Sequence, residues 1–349
     1  MTRTFTTSQA KRVQVNLIIG LVGPSSSGKT FTALELATGI QSVTGGDIEM
    51  IDTEHERGLF YADKFKFNHT PFGAPFASLD YLSAIREASK RSKIIIVDSM
   101  SHEHESEGGM IDYQEQELTR LTRGEDSKRQ AMQMLAWAKP KAARRKLLQG
   151  LTQVDAHLIL CFRAKNSSKP GKDEKGKSVV VPMGFVPIAG EEFVFESALS
   201  MLFHPNAKGV PTWSPDMPGE RIAVKLPAQF EWLAQRGGPV TRQDGAKLAE
   251  WARGGAPAQK REQPRQEAPE PPPADPDAIP DELPVDSEYG EMLEIQIASA
   301  TDGAAFGKWF NAEIKTPGCM EFREAHPDRF DALKKKAHAK AAALREHAA

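Results

Sequence analysis

The sequence predicts an α/β domain with a mainly parallel central sheet, then a linker, then a small all-α module. Three observations carry this expectation. The apolar run Leu17-Ile18-Ile19-Gly20-Leu21-Val22 leads into a glycine-flanked turn and then into Phe31, Leu34, Leu36 and Ala37 at helical spacing. A second apolar run, Ile94-Ile95-Ile96-Val97, ends in Asp98, and continuous β-branched runs of this kind suit parallel strands buried on both faces. From Gly254 to Asp286 the chain turns rich in Pro, Glu, Asp and Gln, including Pro271-Pro272-Pro273, and helical periodicity returns only from residue 287. The expected organisation is therefore residues 1–253 as one domain, 254–286 as a stiff, extended linker, and 287–349 as a helical module.

The bulk properties exclude several classes. The chain has 349 residues, 40% of them hydrophobic and 26% charged, with a net charge of −2. Nothing in that balance attracts a polyanion to the whole molecule, so any basic surface is local. Its two cysteines, Cys161 and Cys319, form neither a disulfide framework nor a metal knuckle, which places the chain in a reducing, cytoplasmic compartment. Arg3, Lys11 and Arg12 before an apolar run imitate a signal peptide. The run is short and enters the glycine turn directly, which identifies it as a core strand. No apolar stretch approaches membrane-spanning length.

The turn itself carries the chemistry. Gly23-Pro24-Ser25-Ser26-Ser27-Gly28-Lys29-Thr30 fits the pattern G-x-x-x-x-G-K-T, a phosphate-binding loop. Gly23 and Gly28 permit backbone angles that turn successive N–H groups into one concavity, where the helix N-terminus adds positive potential. The Lys29 ammonium is placed to reach the β- and γ-phosphates and the Thr30 hydroxyl to ligand Mg²⁺. Asp98, at the end of a buried strand, is the expected carboxylate supporting that metal; the competing reading is a helix N-cap.

In chain order, residues 1–14 read as a loose polar arm and Val15–Val22 as the first strand. A second short strand spans Ile48–Asp52, with Thr53-Glu54-His55 just beyond it. Tyr81, Leu82, Ile85 and Ala88 mark one face of a helix ending near Arg91. Residues 131–152 read as a basic helix with Lys139, Lys141, Arg144, Arg145 and Lys146, and with Trp137 as a core residue. Further strands are expected at Leu158–Phe162 and Ala198–Phe203, and an edge hairpin from 212–214 and 221–225. In the module, three helices are marked by Met292, Ile295, Ile297 and Ala298; by Phe306, Trp309, Phe310 and Ile314; and by Phe330, Leu333, Ala337, Ala341 and Leu344.

Three segments together resemble the RecA recombinase core: the loop at 23–30, Ile-Asp-Thr-Glu-His-Glu-Arg-Gly-Leu-Phe-Tyr-Ala at 51–62, and Ile-Ile-Val-Asp-Ser at 95–99. The segments 98–109 and 161–165 are more similar still to phage-encoded, RecA-like AAA-family ATPases, some of which sit beside single-strand annealing and recombination genes. The resemblance covers roughly residues 13–230. It implies a RecA-like P-loop NTPase fold, the cofactors ATP and Mg²⁺, and assembly into a homo-oligomer with sites between protomers. It also implies that Glu54 activates the attacking water, against the alternative of a capping or surface acid. Recombinases place a polar sensor where this chain has Cys161-Phe162. Arg163 stands in as the expected phosphate contact, and Arg221 or Lys225 as a trans-acting cation. Strand exchange is correspondingly less expected than annealing, loading or remodelling.

Two other constellations invite chemistry. His102-Glu103-His104-Glu105 has its histidines at i, i+2 rather than the i, i+4 of a helical zinc site, and reads better as a packed or solvated loop. The stretch 163–177 holds Arg163, Lys165, Lys169, Lys172, Lys175 and Lys177 against Asp173 and Glu174. It reads as a loop that either contacts single-stranded DNA, as the resemblance implies, or is simply solvated. It lacks an aromatic platform for base stacking. The first functional expectation is thus a Mg²⁺-dependent ATPase acting on single-stranded DNA. The alternatives are a non-catalytic nucleotide switch recruiting a protein through residues 287–349, and a P-loop kinase of a small substrate.

Overall fold

The computed structural model describes residues 9, 12–172, 177–254 and 326–346, with isolated positions between 293 and 323. The chain divides into two units, Met1–Lys260 and Arg261–Ala349. The first contains, in order, β1 (Ile18–Gly23), α1 (Lys29–Thr44), β2 (Ile48–Asp52), β3 (Asn68–Pro71), α2 (Ser78–Ser89), β4 (Ile94–Asp98), α3 (His102–Glu105), α4 (Met110–Thr122), α5 (Arg129–Met132), α6 (Ala138–Leu151), β5 (His157–Lys172), β6 (Ser178–Pro187), α7 (Glu192–Glu196), β7 (Leu199–Leu202), α8 (Pro218–Arg221), α9 (Trp232–Arg236) and α10 (Arg242–Arg253).

The sheet runs β3-β2-β4-β5-β1-β7, and every neighbouring pair along that path is parallel. β5 intervenes between β1, which feeds the phosphate loop, and β4, which ends in Asp98. A mainly parallel sheet with helices packed on it is the α/β class expected from the sequence. The apolar runs form strands because both faces are covered. Every residue of β1, β2, β4 and β7 is buried, each large aliphatic side chain contributing about 1.5–3 kcal/mol of transfer free energy. One core packs α1 and α10 against the sheet through Leu34, Leu36, Ile40, Leu248 and Ile96. The other packs α2 and α6 through Ile85, Leu147, Leu151, Ile95 and Leu160. The helices α1 and α10 meet backbone to backbone: a Cβ added at Gly39 would lie 2.0 Å from the Arg242 carbonyl oxygen, and one at Gly245 would lie 2.3 Å from that of Leu36.

Three sequence expectations are corrected. Residues 163–172 of the expected 163–177 loop are strand. Beyond the sheet, β5 continues as one strand of an antiparallel hairpin with β6, in register from Ala164↔Pro187 to Lys172↔Ser178 with a bulge at Ser167/Ser168. The β-branched run Val179-Val180-Val181 pairs with Gly171, Pro170 and Lys169, and Pro170 is tolerated because a two-stranded arm has free edges. Residues 173–176, with Lys175, Asp173 and Glu174, lie outside the described residues. The 212–214 and 221–225 segments do not pair with each other. Thr212 bridges Leu202 and Lys225 bridges Ser200, both antiparallel to β7, and the prolines between them turn the chain through α8. Trp137 is only half-buried, on a single 3-10 turn.

A buried histidine fixes the lower rim. His157 Nδ1 accepts the Leu17 N–H at 3.1 Å, so the ring is neutral, and burial pushes its pKa down to about 4 against the weaker opposing pull of Asp155. The unfolded chain takes up this proton below about pH 6.5, while the folded one does so only near 4. Stability from this residue is therefore present at neutral pH and lost as pH falls through that window. At pH 5 the loss amounts to roughly 2 kcal/mol. Asp98 acts in the opposite sense, because burial raises its carboxyl to about 6. The informative measurement is the urea midpoint of wild type and His157→Gln at pH 7 and pH 5. The variant should lose less stability on acidification than wild type.

In the second unit, α11 (Pro327–Glu346) buries Phe330, Leu333 and Ala337, three of the residues the periodicity selected. Leu293, Ile297, Phe306 and Phe310 are also buried. The linker, Met292, Ile295, Ala298 and Trp309 lie outside the described residues.

Candidate nucleotide-binding site

The carboxyl edge of the sheet gathers the predicted site residues. Gly23 ends β1, and Pro24 to Gly28 turn the chain into α1. Ser26 and Gly28 are left-handed, with φ of 63° and 98°; a side chain at Gly28 would also strike the Gly209 backbone at 2.8 Å. Gly209 N–H donates to the Ser27 carbonyl at 3.3 Å. That bond holds one carbonyl of the turn from outside, consistent with amides facing inward as an anion cradle requires. Ser27 Oγ is buried without a hydrogen-bond partner among the described residues. The loop conformation, this orphaned hydroxyl and Lys29 together fit a bound polyphosphate.

Lys29 is buried, and its Nζ donates to the Pro24 carbonyl at 2.8 Å. Burial lowers its pKa, while Cys161, Asp98 and Glu54 pull it back up. Thr30 Oγ1 donates to Asp98 Oδ2 at 2.5 Å. Burial is the largest influence on Asp98, and the Thr30 hydrogen bond and Lys29 only partly offset it. Asp98 is thus no exposed N-cap. A hydroxyl in contact with a buried carboxylate, beside a phosphate loop, is an oxygen donor set that suits Mg²⁺, which takes one or two carboxylates and completes its shell with water and phosphate. Thr30 and Asp98 would hold that ion.

Glu54 lies past β2, and the structure gives it partners the sequence did not suggest. Arg163 Nε donates to Glu54 Oε1 at 2.7 Å, and Arg163 Nη2 pairs with Oε2. Ser99 Oγ donates to Oε1 at 3.1 Å. Burial pushes the Glu54 pKa up, but the Arg163 pair overcomes it and the net shift is downward. Arg163, expected on a phosphate oxygen, sits on the candidate catalytic carboxylate instead.

Sequence reasoning also missed the supports around Glu54. Asp52 accepts the N–H of Glu54 at 2.7 Å, the N–H of Gly58 at 2.9 Å and a His69 Nε2 contact at 3.1 Å. It therefore pins the turn that presents Glu54. The signal was available: Asp52 stands opposite Asp98 in the β2–β4 register, so two aspartates end adjacent strands. Thr53 Oγ1 receives the Ser99 N–H at 2.7 Å and contacts His102 Nδ1 at 2.8 Å. Tyr61 packs near Phe31 at the start of α1, with ring centroids 6.2 Å apart and ring planes tilted by 60°.

The His102–Glu105 stretch, read as a packed or solvated loop, is the short helix α3, which buries His102 and Glu103 and leaves Glu105 exposed. Glu103 is fully buried and forms an ion pair with Arg144 at 2.6 Å, and Ser78 Oγ donates to it at 2.6 Å. Among the described residues no group of three His, Cys, Asp or Glu is arranged to hold a metal. Arg144 is thereby removed from the basic 139–146 cluster, and Lys139 pairs with Glu117 at 3.3 Å. Arg221 and Lys225 both donate to carbonyls of their own chain, Arg221 to Pro215 and Asp216 and Lys225 to Phe195.

No family model matches the chain, and no curated protein matches it. Among solved structures, it is similar to a KaiC-like protein, PH0186, from the hyperthermophilic archaeon Pyrococcus horikoshii OT3. The identity is 14%, the match spans 48% of this chain and 79% of that one, and the TM-score is 0.26. The parallel α/β fold is described on this chain's own strand order and loop. No helix among the described residues is long and apolar enough to cross a membrane.

Proposed function

We propose that this chain is a Mg²⁺-dependent ATPase that acts on single-stranded DNA in phage-type recombination or replication, by annealing, loading or remodelling. One observation carries the ATPase reading: Lys29, the Thr30–Asp98 contact and Glu54 converge at the carboxyl ends of β1, β4 and β2, where open α/β sheets bind ligands. In the reaction, a water oxygen bonds to the γ-phosphorus while the bond to the β,γ-bridging oxygen breaks. The electron pair stays with ADP, and the water's proton passes to Glu54. Lys29 neutralises the β- and γ-phosphate oxygens, and a bound Mg²⁺ would spread the developing charge.

The DNA reading rests on the β5–β6 arm. Lys165, Lys169 and Lys177 are exposed on it or beside its tip, against a chain of net charge −2. Such a strip neutralises several phosphates without reading sequence. Homo-oligomeric assembly and a protein partner for residues 287–349 complete the proposal, with a bacterial cytoplasm as its setting. The second reading, a nucleotide switch that does not hydrolyse, draws on the engagement of both Glu54 oxygens by Arg163.

Steady-state ATP hydrolysis with and without an oligodeoxythymidylate, at low and moderate salt, tests both. The proposal expects a rate that rises with DNA, and a stimulation that falls steeply between about 50 and 200 mM salt. Hydrolysis indifferent to DNA removes the DNA partner. Tight ATP binding without hydrolysis favours the switch.

A further inference from the structure

We infer that Arg163 is a catch, holding the Glu54 carboxylate out of use until a polyanion on the β5–β6 arm draws the guanidinium away. This rests on the reading of Glu54 and of the arm given above.

The catch follows from which atoms are occupied. Arg163 donates to both Glu54 oxygens, and Ser99 Oγ donates to one of them. A carboxylate paired in this way is held as an anion, but three of its roughly four lone-pair sites are taken and its basicity is reduced. To regain the basicity needed to accept a proton from a bound water, Glu54 has to release at least one arm of the guanidinium fork.

The coupling follows from where Arg163 sits. It is the last residue of β5 in register with β1, opposite Gly23 of the phosphate loop. The next residue, Ala164, opens the hairpin with β6. Two further contacts tie this root to the segment after Asp98: Arg163 N–H donates to Ser101 Oγ at 2.8 Å, and Lys165 Nζ lies 3.6 Å from Glu105. A phosphodiester strand gripped by Lys165 and Lys169 brings anions next to a guanidinium whose side chain is 34% exposed. Arginine forks bind phosphate as readily as carboxylate. The strand therefore competes for Arg163, and Glu54 is freed beside the phosphate loop.

Arg163 acts here as a positioning residue, and the decisive readout is a gain of activity, which structural damage does not produce. Full-length wild type, Arg163→Lys and Arg163→Gln are compared for ATP hydrolysis with and without an oligodeoxythymidylate, and for binding of that oligonucleotide by fluorescence anisotropy. Without DNA, the rate should rise in the order wild type, Lys, Gln, because lysine offers one point charge in place of a fork. Arg163→Gln should reach about the rate of DNA-bound wild type and gain nothing from DNA. If the glutamine variant does not fold, the DNA-free rate of Arg163→Lys decides. A DNA-free rate at or below wild type in the folded variants overturns the catch, and a collapse to the level of Glu54→Gln shows that Arg163 serves the phosphate directly. Wild type that hydrolyses ATP but binds no oligonucleotide overturns the DNA reading instead, and the DNA-free rates still decide whether Arg163 restrains Glu54.

Discussion

Glu54→Gln should lower DNA-stimulated ATP hydrolysis by about 10²–10⁴-fold while leaving ATP affinity nearly unchanged. The magnitude is that of losing a positioned general base. Glutamine keeps the size of the side chain and one acceptor oxygen, so Asp52 still pins the turn through the backbone N–H of residue 54. What disappears is the ability to take a proton. Affinity is spared because the phosphates are held by the loop amides, Lys29 and the metal pair, and on Lys29 and Asp98 the Glu54 charge is a smaller influence than burial. The measurement pairs steady-state hydrolysis with the ATP-induced rise in melting temperature. A loss below about twofold in rate would return Glu54 to the role of a surface or turn acid, within the range of ordinary surface substitutions.

How much of this site was legible depended on sequence distance. The strands were readable because a parallel strand covered on both faces must be apolar along its whole length, as Ile94–Val97 and Ile18–Val22 are. The loop was readable because its chemistry is local: glycines, lysine and threonine act within eight residues of one another. Asp98 was readable because it ends such a strand. The Glu54–Arg163 pair was not, since 109 residues separate the partners and only the strand order brings them together. The same holds for Glu103 and Arg144, which were read apart, one in a packed or solvated loop and one in a basic helix, until packing paired them. The arm was misread for a different reason. Lysine, serine, glycine and proline dominate 165–172 and suggest a loop, while the strand-forming information lies in the partner run Val179–Val181. A hairpin is a property of two segments, and composition read along one of them understates it.

Lys29→Met should abolish tight ATP binding without destabilising the empty protein. Burial already disfavours the Lys29 ammonium, and its one hydrogen bond goes to the Pro24 carbonyl, on a half-buried turn where water can replace it. Burying an ammonium costs stability in itself, and Asp98, whose carboxyl burial raises to about 6, can take up a proton when that charge is gone. The bound state responds in the opposite direction. A charge-assisted contact to phosphate contributes about 1.5–3 kcal/mol, so its loss weakens affinity by roughly 10–100-fold. At an ATP concentration of about 100 times the wild-type Kd, ligand stabilisation is about 2.7 kcal/mol, and a 100-fold weaker site leaves about 0.4 kcal/mol. Thermal melts with and without Mg²⁺-ATP separate the two effects. The variant should melt at or above the wild-type temperature when empty and shift little on adding nucleotide. A variant that melts lower when empty, yet retains the nucleotide shift, would make Lys29 a structural residue of the loop and move phosphate recognition onto the backbone amides alone.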